Sequence, residues 1–89
     1  MKEVKLSVVN PNGIHARPAS LFVQEAKKFQ SKVTVENLGS GKSKDAKSIL
    51  GVMSLGMTKG TEIKITAEGP DEEAAIQAMA ALVESGCGE

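Results

Sequence analysis

Thr61-Glu-Ile-Lys-Ile-Thr-Ala-Glu68 is the stretch that decides the architecture. Ile63, Ile65 and Ala67 alternate with Glu62, Lys64, Thr66 and Glu68, the period-2 signature of a strand buried on one face and wetted on the other. A strand with a charged outer face belongs in an antiparallel sheet covered on one side only. Upstream, Val4, Leu6 and Val8 repeat the alternation from Lys2 to Val9, and Asn10-Pro-Asn-Gly13 breaks it. Val33 and Val35 among Lys32, Thr34 and Glu36 read as another strand. A short further strand is expected over Lys42 to Asp45, despite low β propensity there.

Between and after these strands the period changes. Ala19, Phe22, Val23, Ala26 and Phe29 recur at helical spacing, which predicts a helix from Ala16 to Lys28. Ile49 to Leu55 predicts a short helix stopped at Gly56 by a left-handed residue. Gly69-Pro70-Asp71 starts the last helix, with Pro70 suited to the first helical position and Asp71, Glu72 and Glu73 complementing the dipole. Its expected buried stripe is Ala75, Ala78, Met79, Leu82 and Val83. The order βαββαβα gives an α+β fold: a four-stranded antiparallel sheet with three helices on one face, residues 1–89 forming a single domain.

Composition narrows function. Eleven basic and eleven acidic residues give a formal net charge of zero, so no bulk field draws the protein to nucleic acid or an anionic membrane. Phe22 and Phe29 are the only aromatics, too few for a base-stacking platform. A single cysteine, Cys87, permits no disulfide framework and fits a reducing compartment. It is expected to lie exposed in the tail, without a role. The charged, alternating start lacks the apolar run of a signal peptide or membrane span, so a cytoplasmic location is expected, with no membrane insertion.

Gly13-Ile-His-Ala-Arg-Pro-Ala19 stands where a turn feeds the first turn of a helix. His15 then falls at the helix start, where unpartnered backbone N–H groups and the dipole favour an anion. Arg17 adds a forked, always-charged donor suited to phosphate oxygens, and Pro18 lacks an N–H where helices tolerate that loss. A neutral imidazole can also act as nucleophile. These residues alone do not separate phosphate carried covalently on His15 from phosphate bound reversibly by the same helix end.

The string from Gly13 to Ala19, Leu21-Phe-Val-Gln24, and Lys47-Ser-Ile-Leu-Gly-Val-Met-Ser-Leu-Gly56 together resemble HPr, the histidine-containing phosphocarrier family of the bacterial sugar phosphotransferase system. The resemblance spans the whole chain. It implies an open-faced β-sandwich and a carrier rather than an enzyme. Enzyme I, charged by phosphoenolpyruvate, would phosphorylate His15 on Nδ1, and a sugar-specific IIA domain would accept the group. Ala16, Arg17 and Pro18 would complete the site, with no metal and no cofactor.

The second motif carries two further expectations. Ile49, Leu50, Val52, Met53, Leu55 and Met57 are too evenly spread for all to be buried by a short helix. Ile49, Leu50 and Met53 are expected to face water as a partner-docking patch, although a deeply inserted helix would bury them all. Ser48 is explained by capping alone. The resemblance adds that serine of this motif in Gram-positive HPr proteins is phosphorylated by an ATP-dependent HPr kinase/phosphorylase. A phosphate there would place about two negative charges beside the docking patch and impede enzyme I.

Gly39-Ser-Gly-Lys-Ser43 imitates part of a P-loop, but the position that needs the first glycine is Glu36; the segment reads instead as a flexible basic turn. This slightly long loop, Gly69-Pro70 and Glu84-Ser-Gly86 are also similar to the nitrogen-branch regulatory paralogue. A third possibility is a pure interaction module, with His15 silent and the Ser48 helix binding a catabolite-control transcription factor.

Overall fold

The computed structural model describes residues 1–11 and 13–87. Strand β1 is Lys2–Ser7, helix α1 Ala16–Ala26, β2 Lys32–Asn37, β3 Lys42–Asp45, α2 Ile49–Met53, β4 Glu62–Glu68 and α3 Glu72–Glu84. The strands form one four-stranded sheet in the order β1-β4-β2-β3, and every pairing is antiparallel. The α+β reading and the βαββαβα order are what the chain adopts.

Side-chain alternation becomes two sets of transverse rows. On the covered face Val4, Ile65 and Val35 stand opposite one another, as do Leu6, Ile63 and Asn37. Val33, Val35, Ile63, Ile65 and Ala67 are buried, and α1 and α3 supply Ala19, Phe22, Val23, Ala26, Ala75, Met79 and Val83 to the same core. On the open face Lys64 lies between two carboxylates, with Nζ 3.7 Å from Glu3 and 3.4 Å from Glu36. These pairs keep the outer face solvated and contribute little net stability.

Several element ends differ from the sequence-based expectation, each for a local reason. Strand β1 stops at Ser7 and β4 begins at Glu62, leaving Val9 exposed and Val8 buried in the core. Helix α1 ends at Ala26, because Lys28 and Phe29 donate to Glu25 and Ala26, three residues back, and so tighten the chain out of α geometry. Phe29 still packs on the core. Helix α2 ends at Met53, and Gly56, with φ +62°, turns the chain away as expected. Beyond the expected stripe of α3, Ile76 also packs against the core, while Ala78 and Leu82 are half-buried.

The turn from Gly39 to Gly41 is hydrogen-bonded to Asn37. Asn37 is buried; its Oδ1 accepts from the Gly39 N–H at 2.9 Å, and its Nδ2 donates to the Leu55 carbonyl at 2.7 Å. With its backbone carbonyl also accepting from Gly41, this one residue closes the β2–β3 hairpin. Pairing with β2 sustains β3 although all four of its residues are exposed.

Two expectations are corrected outright. Pro70 precedes α3, and Asp71 is its N-cap residue without capping it by side chain. The Asp71 carboxylate reaches across to the backbone N–H groups of Gln30 and Ser31, each at 2.9 Å, and also accepts from the Ser31 hydroxyl. Cys87 is fully buried, not an exposed tail residue. It follows Gly86 in a glycine-terminated cap of α3, where Gly86 N–H donates to Val83 and Cys87 N–H to Leu82, the pattern that satisfies the last carbonyls of a helix and buries the residue after the glycine.

The bond from the Ser31 hydroxyl, then the Gln30 N–H, holds the Asp71 carboxyl below the usual 3.8. A depressed folded-state pKa stabilises the protein above the unfolded value, and that contribution disappears as pH falls through the folded one. Asp71→Asn is therefore expected to lower the urea midpoint at pH 7, and the gap from wild type should close in titrations carried below pH 3.8.

Candidate functional site

The end of β1 and the start of α1 are joined by a connection with little freedom. Gly13 has φ +73°, and a Cβ there would stand 2.5 Å from the Met57 carbonyl oxygen and 2.8 Å from Thr58 Cα. Only glycine fits both the left-handed backbone and that approach. The Gly13 N–H donates to the Asn10 carbonyl at 2.9 Å, and the Ile14 N–H donates to the Met57 carbonyl at 2.7 Å. With the Ile14 side chain buried, the chain is fixed on both sides immediately before His15.

His15 is the N-cap residue of α1, with extended backbone at φ −97° and ψ −159°, and it is exposed. Its carbonyl accepts the first helical bond, from the Ala19 N–H at 2.8 Å. The Ala16 and Arg17 amides therefore stand at the helix start, where the intrahelical ladder has no acceptor for them. Pro18, the third residue of the helix, brings no N–H and is buried. Ala16 and Arg17, the next two residues, are exposed. A helix start of this kind, carrying a histidine and an arginine, has the main-chain donors and the positive charge that suit an oxyanion.

His15, Ala16 and Arg17 all face solvent. A groove of about 540 Å³ lies elsewhere, lined by Lys5, Leu6, Ser7, Val9, Glu62 and Glu84. Among the described residues no cluster of His, Cys, Asp and Glu could hold a metal ion, and no helix is long and apolar enough to cross a membrane.

Helix α2 packs against α1 and starts at Ser48, whose hydroxyl accepts from the Gly51 N–H at 3.2 Å. Leu50 is 80% exposed, Ile49 41% and Met53 43%, while Val52, Leu55 and Met57 are buried. The even spread of apolar residues thus divides into a core side and a water-facing side, and the water-facing residues are the three expected from the sequence. The sequence did not mark Asn10 or Asn37, which look like turn residues and are buried through partners distant in the chain.

A family model described as the PTS HPr component phosphorylation site matches residues 2–85, which places the chain in the class of HPr-like phosphocarriers. An HPr structure from Thermoanaerobacter tengcongensis superposes with a TM-score of 0.93 at 53% identity, covering 100% of this chain and 98% of that one. The HPr-like protein Crh of Bacillus subtilis is 46% identical over 94% of this chain and 96% of its own length, and its solution structure is described as that of the catabolite repression HPr. The multiphosphoryl transfer protein of Vibrio cholerae is 46% identical over 92% of this chain, which spans 21% of that relative's length. The chain belongs to the PTS-HPr family.

Gly13→Ala should cost about 2–4 kcal/mol in urea unfolding, from the left-handed backbone and the contact with Met57 together. Ser48→Ala should cost about 1 kcal/mol, the worth of a helix cap.

Proposed function

We propose that this protein is a phosphoryl carrier in which His15 accepts a phosphoryl group from phospho-enzyme I and passes it to a sugar-specific IIA domain. The observation that carries this reading is the exposed His15 at the N-cap of α1, followed by the exposed Ala16 and Arg17 of its first turn. The Nδ1 lone pair attacks phosphorus as the bond to the donor breaks, and the reverse exchange loads the acceptor. Arg17 and the helix end stabilise the added negative charge before and after transfer. The carrier needs no general base or metal of its own, because its task is to hold an activated group within reach of successive partners. Residues 1–89 act as one carrier domain, and a cytoplasmic setting follows from those partners.

Ser48 is the regulatory counterpart. Phosphorylation there by an HPr kinase/phosphorylase exchanges a hydroxyl cap for a doubly charged group next to Ile49, Leu50 and Met53, the surface on which enzyme I docks. Like-charge and desolvation costs then oppose docking. A second reading draws on the description of Crh as the catabolite repression HPr: the α2 surface binds a catabolite-control transcription factor, and transfer through His15 is secondary. The nitrogen-branch alternative shares the His15 chemistry and differs in its acceptor.

Incubation with phosphoenolpyruvate, magnesium and enzyme I should give one acid-labile phosphate per chain, absent from His15→Ala and formed more slowly in Arg17→Ala. No transfer to the wild type would leave the interaction-module reading. HPr kinase and ATP should give a separate acid-stable mark, absent from Ser48→Ala, and labelling at another residue would overturn the Ser48 assignment.

A further inference from the structure

Asn10 belongs to no strand or helix and is 2% exposed. Its Nδ2 donates to the Gly86 carbonyl at 2.7 Å, joining positions 76 residues apart. Gly86, with φ +81°, ends α3; its N–H and that of Cys87 are taken by Val83 and Leu82. The cap therefore fixes the direction of the Gly86 carbonyl, and a buried donor and acceptor meeting there are costly to separate.

The main chain of Asn10 has a different task. Its carbonyl accepts the Gly13 N–H, and Ile14 is tied in turn to Met57. Of the two backbone bonds immediately before His15, one leads to the 57–58 segment and the other to Asn10. The end of α3 thus reaches the entry to α1 through one side chain.

Resting on the phosphocarrier reading, we propose that Asn10 is a positioning residue for phosphotransfer. By clamping the His15 turn to the cap of α3 it holds the imidazole in line with the incoming phosphorus. The ring sits on the N-cap residue of α1, so a small rotation of the preceding turn displaces it. Reaction rates respond steeply to such displacement, up to about a hundredfold for a misplacement near 1 Å.

The test is single-turnover transfer from phospho-enzyme I to wild type, Asn10→Ala and the isosteric Asn10→Asp, which lacks the donor. Asp71→Asn serves as a destabilised control whose change lies at the start of α3. The maximal rate should fall about tenfold in both Asn10 variants, with an unchanged half-saturating concentration, because the α2 surface is intact. The His15 imidazole resonances should shift in the Asn10 variants and not in Asp71→Asn. A folded Asn10 variant that transfers at the wild-type maximal rate, with unmoved His15 resonances, overturns the inference and leaves the carrier reading standing. A wild type that takes no phosphate on His15 removes both.

Discussion

The sheet can bury only one of its faces, and the rest of the molecule follows from that asymmetry. Ile63, Ile65, Ala67, Val33 and Val35 must be covered, while Glu3, Lys64 and Glu36 pair in solvent behind them. All the helices are consequently recruited to the same side. With just two aromatic rings in the chain, that layer is filled by aliphatic side chains, Met79 and Phe22 at close range. Packing of this kind leaves no room for an internal active site, so chemistry has to be placed at the margin of the helical layer.

The margin is made rigid by backbone, not by a cage of side chains. Gly13 and Ile14 are anchored to Asn10 and Met57, and the first helical bond of α1 closes directly behind His15. An exposed group on such a mount can be approached by partners of different shape without rearranging. The Asp71 carboxylate plays a comparable part for the α1–β2 connection, where its bonds to Gln30 and Ser31 tie the start of α3 to the end of the first helical unit.

What could be read in the sequence and what could not divide along that line. Strand β4 and helix α1 were legible because their apolar residues repeat with a single period set by one covered face. The exposure of Ile49, Leu50 and Met53 was legible as a surplus that a five-residue helix could not bury. Cys87 was misread because its burial depends on the cap of α3 folding back, and nothing local to it signals that. Asp71, expected with Glu72 and Glu73 to complement the dipole inside the first turn, stands one residue before the helix, and only tertiary structure supplies the N–H groups of Gln30 and Ser31 that its carboxylate accepts from. Asn10 and Asn37 carry turn chemistry in sequence and long-range anchors in space. For the site, the helix-start histidine and its arginine were evident from spacing, whereas the supports under them were not.

One further consequence lies at the sheet margin formed by β3. Its residues Lys42, Ser43, Lys44 and Asp45 are all exposed, and the strand is short with no β-branched side chain. An outermost strand with open backbone groups invites a neighbouring chain to add on, and short length with lysine side chains discourages that. The low β propensity that made this segment hard to recognise therefore has a benefit: it disfavours addition of a neighbouring chain at this edge of the sheet.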